Sequence, residues 1–221
     1  MKQEIFFMAI LVLFFLTACK KDNTSQEIQI EVIKIGNQVW MKKNLDVTKY
    51  SNGDTIPEVT DSTEWVNLTT GAWCYYENNS ANGAVYGRLY NFYAVHDPRG
   101  LAPAGWHIPD LNETFLLADS LGGFFTAGGK MKEQGTAHWQ NPNTGADNSS
   151  GFTALPGGIR YADAGFKELG FTNYTWTSTL LGGSYNGGSK PQFFFLTSES
   201  GMKRDFEGKW GYGISVRCLK D

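Results

Sequence analysis

Residues 105–123 read Gly-Trp-His-Ile-Pro-Asp-Leu-Asn-Glu-Thr-Phe-Leu-Leu-Ala-Asp-Ser-Leu-Gly-Gly. Asp110 with Glu113 three positions on is a capping-box start, in which each acidic side chain accepts the other residue's backbone N–H. Phe115, Leu116 and Leu121 follow at helical offsets, and Gly122-Gly123 ends the run. The stretch predicts a helix opening at Asp110. Upstream, Val85–Val95 (VYGRLYNFYAV) also carries apolar residues at helical offsets and halts at Asp97-Pro98, which predicts an earlier helix. Residues 48–83 hold Asn-Gly, Pro and Asn-Asn-Ser punctuation around Trp65 and Trp73, and predict ordered loops with brief strands. At the front, Ile28, Ile30 and Val32 alternate, and Ile35-Gly36-Asn37-Gln38-Val39 sets a turn dipeptide between two apolar runs, the pattern of a β-hairpin. Downstream, Gly-rich segments separate short aromatic strands at Phe152–Leu155, Tyr174–Ser178, Phe193–Leu196 and Ile214–Leu219. Two helices early and antiparallel strands with long Gly-rich loops late make an α+β body over residues 28–221, with no internal repeat and no linker dividing it.

Composition agrees. The 26 glycines in 221 residues are about 12%, against a usual ~7%, so turns and short elements prevail over a helical bundle. Hydrophobic residues at 41% supply a core, which excludes disorder across the whole chain. With 19 Lys plus Arg against 22 Asp plus Glu, the net charge is -3, and no basic surface for a nucleic-acid partner is expected.

The first 18 residues read as a secretory leader. Lys2 precedes an apolar run from Ile5 to Leu16, which is too short for a bilayer span of ~20 residues. Leu16-Thr17-Ala18-Cys19 resembles the lipobox of bacterial lipoproteins, in which the cysteine becomes the lipidated first residue; the alternative is an ordinary leader cut near Ala18. Glu4 departs from the usual net-positive start. Residues 19–27, polar and without periodicity, then form a tether between lipid and body. Its Lys-Lys-Asp start loosely resembles surface-export signals of Bacteroidota lipoproteins and favours the cell surface over the periplasm. If Cys19 carries lipid, Cys74 and Cys218 remain in an exported compartment, where a disulfide between them is the economical reading, worth ~4–5 kcal/mol at most. The alternative is two buried free thiols.

Several stretches together resemble one family: Val39-Trp40-Met41-Lys42-Lys43-Asn44-Leu45, Tyr86-Gly87-Arg88-Leu89-Tyr90-Asn91-Phe92-Tyr93-Ala94-Val95, Gly105-Trp106-His107-Ile108-Pro109, Ser150 to Arg160 with its Leu155-Pro156-Gly157-Gly158-Ile159-Arg160 core, Trp176-Thr177-Ser178-Thr179, and the closing Ser215-Val216-Arg217-Cys218. They are similar to the Fibrobacter succinogenes major paralogous domain, common in lipoproteins of Bacteroidota and Fibrobacteres. The Gly-Trp-His-Ile-Pro stretch and the terminal Val-Arg-Cys also resemble the formylglycine-generating branch of the C-type-lectin-like fold, which is the fold the resemblance implies. It brings no agreed activity and no catalytic residues.

The candidate chemistry is sparse. His96, His107 and His138 lack zinc-ligand spacing, and His107, at the turn into a helix, reads as a structural hydrogen-bonding residue. Asn141 to Ser149, with Asn143, Asp147 and Asn148, is dense in oxygen ligands that suit calcium, and calcium-dependent sugar binding is a known use of the implied fold. With Asp147 its one carboxylate, a network of Asx turns is the competing reading. Trp139 and Trp176, flanked by polar residues, are candidate stacking platforms for sugar rings, set against a place in the core. No nucleophile elbow or phosphate loop appears, and the Leu181-Gly182-Gly183-Ser184-Tyr185 run lacks the lysine and helix a phosphate loop needs. The expectation is a binding protein without catalytic residues or a required cofactor, lipid-anchored in the outer membrane or at the cell surface, presenting loops to a glycan or protein partner. A structural envelope component is the alternative, and an oxidoreductase of the formylglycine-generating type a third.

Overall fold

The hairpin forms around the expected turn dipeptide, Gly36-Asn37, although its strand starts only at Val32. In a computed structural model describing residues 30–182, 188–205 and 208–221, β1 (Val32–Ile35) and β2 (Gln38–Met41) pair antiparallel with Ile35 opposite Gln38. Only Gly36 and Asn37 remain for the turn, and Gly36 takes the positive φ of 58° that a tight hairpin turn needs. The inward face is that of Ile33 and Ile35, whereas Val32 is 47% exposed. The leader, Cys19, the tether and most of the Leu181–Tyr185 run lie outside the described residues.

Between Asn52 and Asn79 the punctuation conceals a short helix. Asp61 caps α1 (Ser62–Val66) by accepting the Glu64 N–H, and Trp65 anchors it in the core. Next come β3 (Trp73–Cys74), α2 (Ser80–Tyr86), β4 (Leu89–Tyr90) and α3 (Phe92–Val95). The single helix expected over Val85–Val95 is therefore two helical turns separated by a strand. Gly87 ends α2 at a φ of 77°, Leu89-Tyr90 pairs antiparallel with Trp73-Cys74, and the Asn91 side chain then caps α3. Tertiary pairing outweighs the local helical pattern there.

After β5 (Trp106–His107), α4 (Leu111–Ser120) forms with the full Asp110/Glu113 capping box. An additional helix, α5 (Phe124–Met131), follows directly. Then come β6 (Gly157–Arg160), β7 (Phe166–Leu169), β8 (Thr172–Leu181), β9 (Lys190–Thr197), β10 (Ser200–Asp205) and β11 (Leu219–Lys220). β8 and β9 contain the strands expected around Trp176 and Phe194. The strand expected at Phe152–Leu155 is reduced to a bridge between Ala154 and Lys132, and the ladder starts later, at Gly157.

The protein is thus an α+β body with mostly antiparallel strands and few short helices. Its sheets run β1-β2-β11-β5, β10-β9-β8, β3-β4 and β6-β7. The segment before β11 joins them without a ladder of its own: Gly213 bridges Arg160 in β6, Ile214 bridges Tyr90 in β4, and Ser215 bridges Thr175 in β8. Leu45 and Met41 then donate their N–H groups to the carbonyls of Val216 and Cys218. Every residue from Gly213 to Leu219 is buried, so this stretch is the axis on which the small sheets meet.

Candidate functional site

A cavity of about 630 Å³ opens where the loop at 100–105 turns into β5 and α4. Its wall includes Trp106, His107, Asp110, Glu113 and Ser178, over a floor that includes Ile108. Gly105 enters β5 at a φ of 78°, and β5 is held by pairing with β11. Trp106 is half-buried, and its indole N–H has no partner among the described residues. An aromatic face beside carboxylates and a hydroxyl suits a polyhydroxylated ring, whose C–H face stacks while its hydroxyls donate.

The polar half of this wall is fixed by bonding. Asp110 Oδ1 accepts the Glu113 N–H at 2.8 Å, and Glu113 Oε2 accepts the Asp110 N–H at 2.8 Å. The other Glu113 oxygen meets His107 Nε2 at 2.9 Å, while His107 Nδ1 lies 2.8 Å from Asp221 Oδ1. A neutral imidazole has one N–H donor, so two facing carboxylates favour the imidazolium. Burial opposes that charge, but the hydrogen bonds that the ring donates to Asp221 and Glu113, together with the charges of those carboxylates, outweigh it and raise the His107 pKa above its ordinary 6.5. The structural reading of His107 stands: it ties the start of α4 to Asp221 beside β11. A raised folded pKa gives stability that is complete below the unfolded value and lost as pH rises through the folded one. His107→Gln is therefore expected to be most destabilising near pH 5.5 and progressively less so toward pH 9 in urea unfolding; a pH-independent difference would refute the ion-pair role.

The other residues singled out in the sequence do not assemble into a ligand site. Trp139 and Trp176 are 1% and 0% exposed, and their indole N–H groups donate to the carbonyls of Ala154 and Tyr90. Neither offers a face to a sugar. The polar neighbours of Trp176 mislead because these are satisfied internally: Thr177 Oγ1 donates to the Gln192 carbonyl, and Thr175 Oγ1 to Asn173 Oδ1. Asn143, at a φ of 43°, donates to the carbonyls of Glu133 and Gly135. Asp147 Oδ1 accepts the Ser149 N–H, and that bonding lowers its pKa. Asn148 accepts the Thr153 N–H and donates to Thr153 Oγ1. Asp147 and Asn148 thus make local side-chain bonds of the Asx kind, the Asn143 Oδ1 is buried without a partner among the described residues, and among those residues no three His, Cys, Asp or Glu side chains converge as metal ligands.

The cysteine pairing is also corrected. Cys74 and Cys218 are free thiols, buried in different apolar clusters, Cys74 with Trp65 and Leu89 and Cys218 with Tyr90 and Val216. Burial pushes each up to about 12, opposite to the shift a reactive thiol needs.

Three buried cations escaped the sequence reading. Arg160 donates to the carbonyls of Val59, Thr60 and Asp61; Arg217 to Asn44 Oδ1 and the Phe152 carbonyl; and Lys132 to the carbonyls of Thr144 and Thr197. None forms an ion pair among the described residues, and each lies over an aromatic ring, Trp65, Phe152 and Trp139 in turn. Burial alone pulls Lys132 down to about 8. The available signal was an arginine set between apolar neighbours in a strand-like run, Ile159-Arg160-Tyr161 and Val216-Arg217-Cys218.

Fold and site together define an α+β domain of small antiparallel sheets, with loops pinned by buried cations and an open cleft beside its longest helix. The model of the Fibrobacter succinogenes major domain matches residues 33–220, and the chain belongs to that family. No curated protein and no solved structure matches it.

Proposed function

We propose that the chain is a lipid-anchored envelope protein, held through Cys19 in the outer membrane or at the cell surface, whose body binds a glycan in the cleft beside Trp106. The observation that carries the reading is the half-buried Trp106, its indole N–H unbonded among the described residues, set against Asp110, Glu113 and Ser178 in the 630 Å³ cavity. A C-type-lectin-like arrangement has support in the two stretches that resemble it, because Trp106-His107 pairs directly with Lys220-Leu219, which follow Val216-Arg217-Cys218. The formylglycine-type alternative lacks a suitable thiol, since both described cysteines are buried and hard to ionise.

The test is a glycan array probed with the purified chain in calcium and in EDTA. A specific hit is expected to survive EDTA and to weaken about tenfold or more with Trp106→Ala, as for a central aromatic anchor. A blank array from folded protein would end the glycan reading. A second reading, a structural component that contacts envelope proteins, is favoured by Phe125, 99% exposed on α5, with Leu116 57% exposed on the adjoining α4. Crosslinking in envelopes, lost with Phe125→Ser, would support it.

A further inference from the structure

A second pocket, about 320 Å³ and separate from the Trp106 cleft, lies between the segment after β2, helix α2 and the chain around Thr153. Its wall carries an unusual charge pattern. Glu31 is paired with Lys43 at 3.0 Å, and Asp46 with Arg88, so both carboxylates of the wall already have counter-charges. Arg217 has none, and Lys42 shares with Lys43 the charge of Glu31. The half-buried Lys42 side chain makes no ion pair or hydrogen bond among the described residues.

Arg217 is 2% exposed. Its Nε and Nη2 donate to Asn44 Oδ1 at 3.2 and 2.9 Å, and Nη1 to the Phe152 carbonyl. Those bonds occupy three of the five N–H donors of a guanidinium, all with neutral acceptors. A cation taken out of water without a counter-charge is costly, and burial indeed lowers the Arg217 pKa. Asn44, which orients the guanidinium, is itself fixed by donating to the Tyr86 carbonyl at 2.9 Å. Thr153, opposite, is a β-branched residue held at a φ of 53°, a conformation kept only where the surroundings impose it.

We propose that this pocket binds a small carboxylate-bearing molecule of the uronic-acid type, with Arg217 and Lys42 meeting the carboxylate. A planar carboxylate matches the guanidinium fork, and Lys42 adds a point charge from the rim. Val85, Tyr86 and Leu155 supply the apolar wall that a sugar-sized body needs. The remaining volume lies at the lower end for small-molecule pockets, which favours a single ring over a chain.

Isothermal calorimetry on the full chain, purified in non-ionic detergent, with sodium glucuronate and with glucose separates carboxylate recognition from general sugar binding. Glucuronate is expected to bind about tenfold or more tighter than glucose, the worth of one charge-assisted contact. Lys42→Glu, at the rim and outside the core, is expected to remove that preference. Lys49→Glu makes the same charge change on a residue outside the pocket wall and is expected to leave the preference within about twofold, as for an exposed charge away from the contact. Trp106→Ala should leave it intact, so loss of the cleft reading and loss of this one are distinguishable. Equal affinity for glucuronate and glucose, an unaffected Lys42→Glu, or displacement of glucuronate by equimolar sulfate would each overturn the proposal.

Discussion

Arg160→Ala is expected to lower the unfolding free energy by about 4 kcal/mol or more, a large share of the ~5–15 kcal/mol of a typical domain. The side chain starts in β6 and reaches a segment about a hundred residues earlier, where Nη1 donates to the Val59 carbonyl at 2.7 Å and Nη2 to those of Thr60 and Asp61 at 3.2 and 3.3 Å. That segment has little regular pairing of its own, yet it carries the Asp61 cap of α1 and leads to buried Trp65. The guanidinium lies 4.2 Å from the Trp65 ring centroid and 5.0 Å from that of Phe166. Truncation leaves the buried Val59 acceptor unmatched, at about 1–3 kcal/mol. It also opens a void between two aromatic rings, and large-to-small core changes typically cost ~2–5 kcal/mol. Arg160→Lys should fall between, since an ammonium reaches fewer carbonyls and cannot present a flat fork. Urea unfolding measures the size, and hydrogen exchange locates it: amides of residues 59–66 should lose protection first. A change within about 1 kcal/mol, or protection lost elsewhere first, would contradict the strut role.

What could be read from the sequence was what is decided locally. The capping box at Asp110 and Glu113 forms because both halves of the signal lie within one turn, and the hairpin turn at Gly36-Asn37 forms because Gly36 accepts a positive φ that its neighbours would resist. Legibility ends where a distant partner decides. Leu89 and Tyr90 carry helical spacing, yet they become a strand because Trp73 and Cys74 lie alongside. Helix α5 went unread because Gly128 and Gly129 are poor helix formers, and their reason for being there is another segment's backbone. The same holds for the site. Polar residues around Trp139 and Trp176 suggested exposure, but those beside Trp176 bond inward and both indoles are core. Arg160 and Arg217 were visible as motif residues between apolar neighbours, but the carbonyls of remote loops that take their donors are not legible in a linear sequence. Economy of cysteines suggested a disulfide, whereas the fold sends Cys74 and Cys218 into separate apolar clusters.

Gly128→Ala is expected to destabilise by about 3 kcal/mol or more, although the same change in an ordinary helix interior stabilises by ~0.5–1 kcal/mol. The sign is set by β10. A Cβ on Gly128 would sit 2.5 Å from Gly201 C and Cα and from Met202 N, and these are backbone atoms that no rotamer change can move. The close approach is mutual, since a Cβ on Gly201 would meet the Phe125 carbonyl oxygen at 2.5 Å and that of Phe124 at 2.8 Å. Helix and strand therefore touch main chain to main chain, over a core that includes Ala127, Met131, Leu196 and Met202. Relieving the clash means lifting α5 from that core, and overpacking of this kind ordinarily costs ~1–3 kcal/mol even where side chains can yield. Gly182 supplies the control, because a Cβ there meets nothing within 4 Å and its φ is not one that penalises side chains. Gly182→Ala should stay within about 0.5 kcal/mol of the parent in urea unfolding. If Gly128→Ala proved as neutral as Gly182→Ala, helix propensity would have won and the contact between α5 and β10 would be looser than the glycine pair implies; if it unfolds the chain as expected, Gly128 and Gly201 are fixed by the space between two backbones and not by any turn.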